Sequence, residues 1–171
     1  MRENDNDNNL FFVCSIIEYI ARKTKNTKEY IVKKLGKESI NKIYALAEVY
    51  HCENIEKITD EIIKDNKIEI GNYDILKECK YKIPTFWEIG KVYQHLIMKI
   101  NSDKNEYINT LITVLTSWII PKIDNYNSSL YYENPDYIYE CYKENKILYH
   151  NMISCKESLE ILKPLQMNEM K

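Results

Sequence analysis

The sequence predicts an all-α protein, a compact bundle of about seven to eight helices in two packed lobes. Three observations carry this. Only three Gly and four Pro occur in 171 residues, too few to punctuate many short strands. The hydrophobic content of 44% and charged content of 29% are those of a globular chain with a core. Through most of the length, apolar residues recur at helical rather than alternating spacing. A chain of this size builds one full core but would be short for two independent domains.

Residues 1–9 are polar and read as a disordered tail. The first helix is expected from Leu10 to Thr24, where Leu10, Val13, Cys14, Ile17, Ile20 and Ala21 share a face. Phe12, Ile16 and Tyr19 widen that face so far that the helix should be largely buried. Thr27 is placed to cap a short helix from Lys28 to Leu35, with Gly36 suited to end it. A third helix is expected from Ser39 to Tyr50, and a fourth after the cap residue Asn54 along Ile55, Ile58 and Ile62. Residues 67–82 are the least helical and read as a connection between lobes of about 10–66 and 84–163, with a helical turn around Asp74 to Cys79.

Thr85 and Glu88 form a capping-box pattern before a helix carrying Phe86, Ile89, Tyr93, Leu96, Ile97 and Ile100. A sixth helix is expected from Asp103 to Ile119, ended or kinked by Pro121. Asn134 and Pro135 open another through Tyr142. A weaker segment from Ser154 to Leu162 precedes a mobile tail, 164–171. Trp87 and Trp118 fall at core positions by the same spacing.

Composition removes several classes of function. The five cysteines, Cys14, Cys52, Cys79, Cys141 and Cys155, are odd in number and lack a C-x-x-C pair. They predict free thiols in a reducing compartment, hence a cytoplasmic protein. The start of the chain has no signal-peptide core, and no apolar run approaches the roughly 18 to 20 residues that span a bilayer. No metal site and no cofactor are expected: His51, His95 and His150 stand at no ligand spacing, and neither phosphate-cradling glycine motif occurs. His51 and Cys52 are neighbours in sequence, a poor arrangement for two side chains that must converge as a nucleophile pair.

Charge is unevenly spread although the formal total is only −2. Between Arg22 and Lys42 eight basic residues face two acids (8 − 2 = +6), and between Glu48 and Glu78 nine acids face four lysines (4 − 9 = −5). The basic stretch, with Lys23, Lys25, Lys28, Lys33, Lys34 and Lys37, is the candidate nucleic-acid surface. Its short helix, Gly36 and longer helix loosely match a helix-turn-helix. Lys37 and Lys42, however, fall where that motif packs apolar residues, and base-reading Arg is nearly absent. A solvated face, or attraction between the basic and acidic stretches, is the plainer explanation.

The most unusual passage runs from Asp124 to Pro135. Asp124, Tyr126, Asn127, Tyr131, Tyr132 and Asn134 there combine aromatic surface with short polar groups, as protein interfaces do. The alternative is a rigid connection whose tyrosines pack back on the core. Tyr50 and His51 are the companion candidates between the third and fourth helices.

Three segments together, Phe11 to Ile20 leading into Ala47 to Ile55, Ile83 to Tyr93, and the tyrosine-rich passage, resemble a family of uncharacterised helical proteins from Firmicutes and Bacteroidetes. The N-terminal half is also similar to a small domain of unknown function found beside ADP-ribosyltransferase-like toxin genes. The resemblance implies a bacterial antitoxin, immunity or phage-defence accessory role and brings no catalytic residues with it. The longer C-terminal part departs from that small domain. The function expected is therefore a non-enzymatic, protein-binding regulator with a protein partner, with a homodimer as the prior for its assembly. Nucleic-acid binding through 22–42, or an enzyme with an unrecognised site, are the alternatives.

Overall fold

The computed structural model describes residues 5–148, and every regular element among them is helical. The expected segment Ser154 to Leu162 and the 164–171 tail lie outside the described residues. The chain divides into two units, the first ending at Pro135 and the second beginning at Asp136.

In the first unit α1 (Asp5–Thr24) is the central helix, as its apolar breadth predicts. Leu10, Phe12, Val13, Ile16, Ile17 and Ile20 are buried along it, each worth about 1.5–3 kcal/mol of burial. The helix begins at Asp5, so residues 5–9 are not the disordered tail expected. Asp5 and Asp7 suit the positive end of the helix dipole. Asp7 is also tied down, its carbonyl accepting from Gln94 Nε2 at 2.6 Å and its carboxylate from the Tyr107 hydroxyl at 3.1 Å.

α2 (Lys28–Ala45) starts at the Thr27 cap and breaks at Gly36, whose φ of 64° is left-handed. α3 (Ala47–Tyr50) is a single turn: the expected Ser39–Tyr50 helix is interrupted at Leu46, which lays the rings of Tyr50 and His51 against Phe12. α4 (Ile55–Asp65) follows the Asn54 cap, whose side chain accepts from the N–H of Glu56 and of Lys57.

α5 (Phe86–Ile100) opens with the capping box of Thr85 and Glu88 and runs antiparallel to α1, with Phe86 near Tyr19 and Gln94 near Asp7. Between those points Gly90 meets Ser15. A Cβ at position 90 would lie 2.1 Å from Ser15 Oγ and 3.0 Å from Ser15 Cα, so only a hydrogen fits this crossing. α6 packs on α2 as α1 does on α5, so helices from both expected lobes form one packed body up to Pro135.

The sixth helix departs from expectation. α6 (Tyr107–Leu115) stops well before Pro121, and the one-turn α7 (Ile120–Ile123) carries Pro121 in its first turn. Proline has no N–H to offer the Ser117 carbonyl four residues back, and its ring would collide with it. The Ser117 and Thr116 hydroxyls bond the Val114 and Ile112 carbonyls there, closing α6 with side chains. Trp87 and Trp118 are half-buried rather than core. In the second unit α8 (Pro135–Lys143) starts at the predicted proline, and the Tyr137 hydroxyl donates to the Leu148 carbonyl.

Candidate functional site

The tyrosine-rich passage after α7 divides between interior and surface. Asp124 and Tyr126 are only 4% and 2% exposed, so they offer little of the contact surface expected of them. The end of α7 turns both inward, where they complete a cluster of charges drawn from distant parts of the sequence. Lys28 Nζ lies 2.5 Å from Glu18 Oε2 and 2.6 Å from Asp124 Oδ2. Arg22 Nε lies 2.5 Å from Glu18 Oε1, and Tyr93 donates its hydroxyl proton to Asp124. The Tyr126 hydroxyl accepts from Arg22 Nη2 at 3.0 Å and donates to Glu18 Oε1 at 3.2 Å. Two cations and two anions thus balance inside the fold.

Burial penalises every charge in this quartet, and the pairing decides each outcome. Burial alone would lift Glu18, but the Lys28 and Arg22 charges hold its carboxyl below the usual range. Burial would lower Lys28, yet Asp124 and Glu18 together hold its ammonium above the usual lysine value. Asp124 is raised, because burial and the neighbouring Glu18 charge outweigh its one cation. Burial pushes the Tyr93 phenol well up. A lysine held charged is neither a nucleophile nor a base at neutral pH, so the cluster's chemistry is positional.

What it positions is a strap, residues 67–84, that runs without regular structure apart from a turn at 75–78. The strap is pinned to the loop after α1, where the Gly71 N–H donates to Thr24 O and the Tyr73 N–H to Lys25 O, both at 2.8 Å. Gly71 is required there, since a Cβ would lie 2.6 Å from the Lys25 carbonyl oxygen. At the far end Arg22 Nη1 donates to the Pro84 carbonyl at 2.8 Å, linking the quartet to the start of α5. Between them Asn127 clamps the strap by two backbone bonds, accepting from Lys80 N at 2.8 Å and donating to Glu78 O at 2.9 Å.

Two cavities meet at this clamp and share Tyr126 and Asn127. One, of about 480 Å³, reaches Tyr73, Asp124 and Asn125. The other is a groove of about 470 Å³ between Tyr81 and Tyr132, with Lys82, Ser128 and Ser129 around it. Its rims carry two exposed rings, Tyr81 at 65% and Tyr132 at 59% exposure, and Ile83, 41% exposed, follows on the strap. Tyr132 does not dangle, because Tyr131 packs edge-on against it at 4.9 Å and against Tyr126 at 5.6 Å. Asn134 is exposed and immediately precedes α8.

The remaining candidates fall elsewhere. His51 packs 4.4 Å from Phe12 and lies nearly parallel to Trp87, and burial lowers its pKa. Phe12 is six residues before Glu18, so Tyr50 and His51 sit about two helical turns from the quartet and do not join the groove. The exposed Cys52 thiol points to the Glu48 carbonyl at 3.8 Å, giving no nucleophile pair with His51. Cys14 and Cys141 are buried, and the four described cysteines are free thiols.

Most of the basic stretch is already engaged. Lys28 is interior, Lys23 pairs with Asp60 at 2.8 Å, Lys25 with Asp74 at 3.4 Å, and Lys33 with Glu29 at 2.5 Å. Lys34 lies over the Tyr30 ring, and Lys37 is exposed. Basic and acidic stretches therefore meet each other at Lys23 and Lys25, and the track of lysines expected for phosphates is broken.

The residues that sequence reasoning missed are Glu18, Arg22 and Tyr93 inside and Tyr81 and Ile83 outside. Glu18 had a signal, a carboxylate in the middle of a helix apolar on nearly every side, which demands a buried cation. Among the described residues no helix is long and apolar enough to cross a membrane. No protein-family model, no curated protein and no solved structure matches this chain.

Proposed function

We propose that this chain is a non-enzymatic regulator that works by binding another protein through the groove between Tyr81 and Tyr132. The observation that carries the reading is the grouping of exposed rings. Two large exposed rings, Tyr81 and Tyr132, flank one groove whose backbone is fixed by Asn127 and Arg22, and Ile83 is exposed further along the same strap. Pre-ordered aromatic rims lose little entropy on contact, which suits them as anchors. The finer role is that of an antitoxin, immunity or phage-defence accessory protein of a bacterial cytoplasm. It rests on the resemblance described above and on the free thiols, which suit a reducing compartment.

The test compares tagged wild-type chain with the Tyr81→Ala/Tyr132→Ala variant in a nuclease-treated lysate of the native host. A protein retained stoichiometrically through a salt wash by the wild type and lost by the variant is the expected result. Equal retention by both removes the groove from the account, and retention of nucleic acid alone removes the protein partner.

A further inference from the structure

We infer that the strap is a hinged gate over the charge quartet, opening as one unit between its two ends while the helices stay folded. The way it is anchored points to this. Ile68 and Pro84 near its ends are buried, and none of residues 69–83 between them is. Ile70, Tyr73, Tyr81 and Ile83 are instead exposed, so apolar burial does little to hold the strap down. What holds it is polar. Asn26 Nδ2 donates to the Glu69 carbonyl at 2.7 Å, Lys25 pairs with Asp74 at 3.4 Å, and Asn127 grips Glu78 and Lys80. The Asn26 and Asn127 bonds lie at exposed positions, where water can replace each of them.

What lies beneath supplies the second argument. The cavity of about 480 Å³ is lined by Asp124 and Tyr126 on the body side and by Tyr73, Ile75 and Cys79 on the strap side. An adjoining, narrower gap separates Arg22 and Lys28 from Tyr73, Ile75 and Leu76. The strap thus roofs the quartet without packing tightly on it. Opening costs the few polar bonds above. It returns the chain entropy of an ordered segment and lets water reach Lys28 and Asp124, which offsets much of that cost. The closed form is the ground state and the open one a minority state. Because Tyr81 rides on the strap and Tyr132 on the body, opening also parts the two rims of the groove. The gate stands whether or not the groove takes a partner.

Native-state hydrogen exchange in low urea tests this, read at the bonded amides of Gly71, Tyr73 and Lys80. All three should open in one event, nearly independent of urea and at least about a hundredfold more often than the core amides of α1 and α5. Asn127→Ala removes bonds only at Glu78 and Lys80, yet it should speed exchange at Gly71 and Tyr73 as well, by about two- to fivefold. Asp74→Lys, which breaks the pair with Lys25, should in turn speed Lys80. Folding of both variants is checked by circular dichroism. Acceleration confined to Lys80 in Asn127→Ala, or none, would mean that the strap does not move as a unit and would overturn the inference. Exchange of Gly71 and Tyr73 together with the core, at a steep urea slope, would do the same, since the opening is then global. Trypsin gives a readout that needs no variant. Among the described residues the wild type should be cut first at Lys77, Lys80 or Lys82, and the nicked chain should stay helical. A first cut within a helix, or helicity lost with the strap cut, contradicts the gate.

Discussion

Two neighbouring regions of this molecule invert the usual arrangement in opposite directions. Around Lys28 three charges are buried and a fourth, Arg22, is half-buried, while at the strap and the Tyr131–Tyr132 turn large rings are left in solvent. Tyr126 joins them: its hydroxyl completes the quartet and its residue lines the groove. The difference teaches what each region is for. A buried quartet adds little net stability over an apolar filling, but it fixes geometry, since each member tolerates only one arrangement of the others. Exposed rings add nothing to folding and gain only when something covers them. The charges hold the frame and the rings face the partner.

That division breaks most readily at Lys28. Lys28→Ala leaves Glu18 and Asp124 facing each other without their shared cation, and should cost about 3–5 kcal/mol in denaturant unfolding. A loss under about 1 kcal/mol would mean the quartet is relaxed rather than constraining.

The same region should govern the pH dependence. Glu18 is held below its ordinary value, so its contribution is present above the ordinary carboxylate range and lost as pH falls through its lower folded-state value. Lys28 is raised, so its contribution is full below the ordinary lysine value and lost as pH rises through the higher folded one. Asp124, raised, acts in the opposite sense to Glu18, which makes Glu18→Gln against wild type the informative pair on the acid limb. The variant should start less stable at neutral pH and lose less on acidification.

A smaller effect is expected where no charge is involved. Gly90→Ala drives a methyl into Ser15 and should cost about 1–3 kcal/mol, as overpacking does. Ser15→Gly in the same chain should recover part of it, whereas Ser15→Ala should recover less, because Ser15 Cα and Cβ are themselves 3.0 Å from the added atom. Smaller still is Asn127→Ala, which frees the strap at two backbone bonds. About 1 kcal/mol or less of stability should go, with faster hydrogen exchange at the Lys80 amide.

What the sequence makes legible is local. Thr85 with Glu88, Asn54, Thr27 and Pro135 mark helix starts because a cap acts within three or four residues of itself. The breaks at Leu46 and before Pro121 are harder, because the apolar pattern runs through them unbroken. The site is the least legible. Lys28 meets Asp124 across 96 positions and Tyr126 meets Glu18 across 108, and no local pattern reports such pairings. Asp124 and Tyr126 stood out in sequence as contact surface, but their polar ends are claimed by the interior. Tyr131, Tyr132 and Asn127 lie beside or on the groove, whereas Tyr81 was hidden in a passage that reads as mere connection.

The most direct test of the division between frame and face is thermal unfolding of Tyr81→Ala/Tyr132→Ala beside Lys28→Ala. The tyrosine variant should melt within about 2 °C of wild type, while Lys28→Ala should fall by about 10 °C or more. If the tyrosine variant falls as far, the rings belong to the fold and not to a partner. A Lys28→Ala protein that melts like wild type would remove the quartet as the frame.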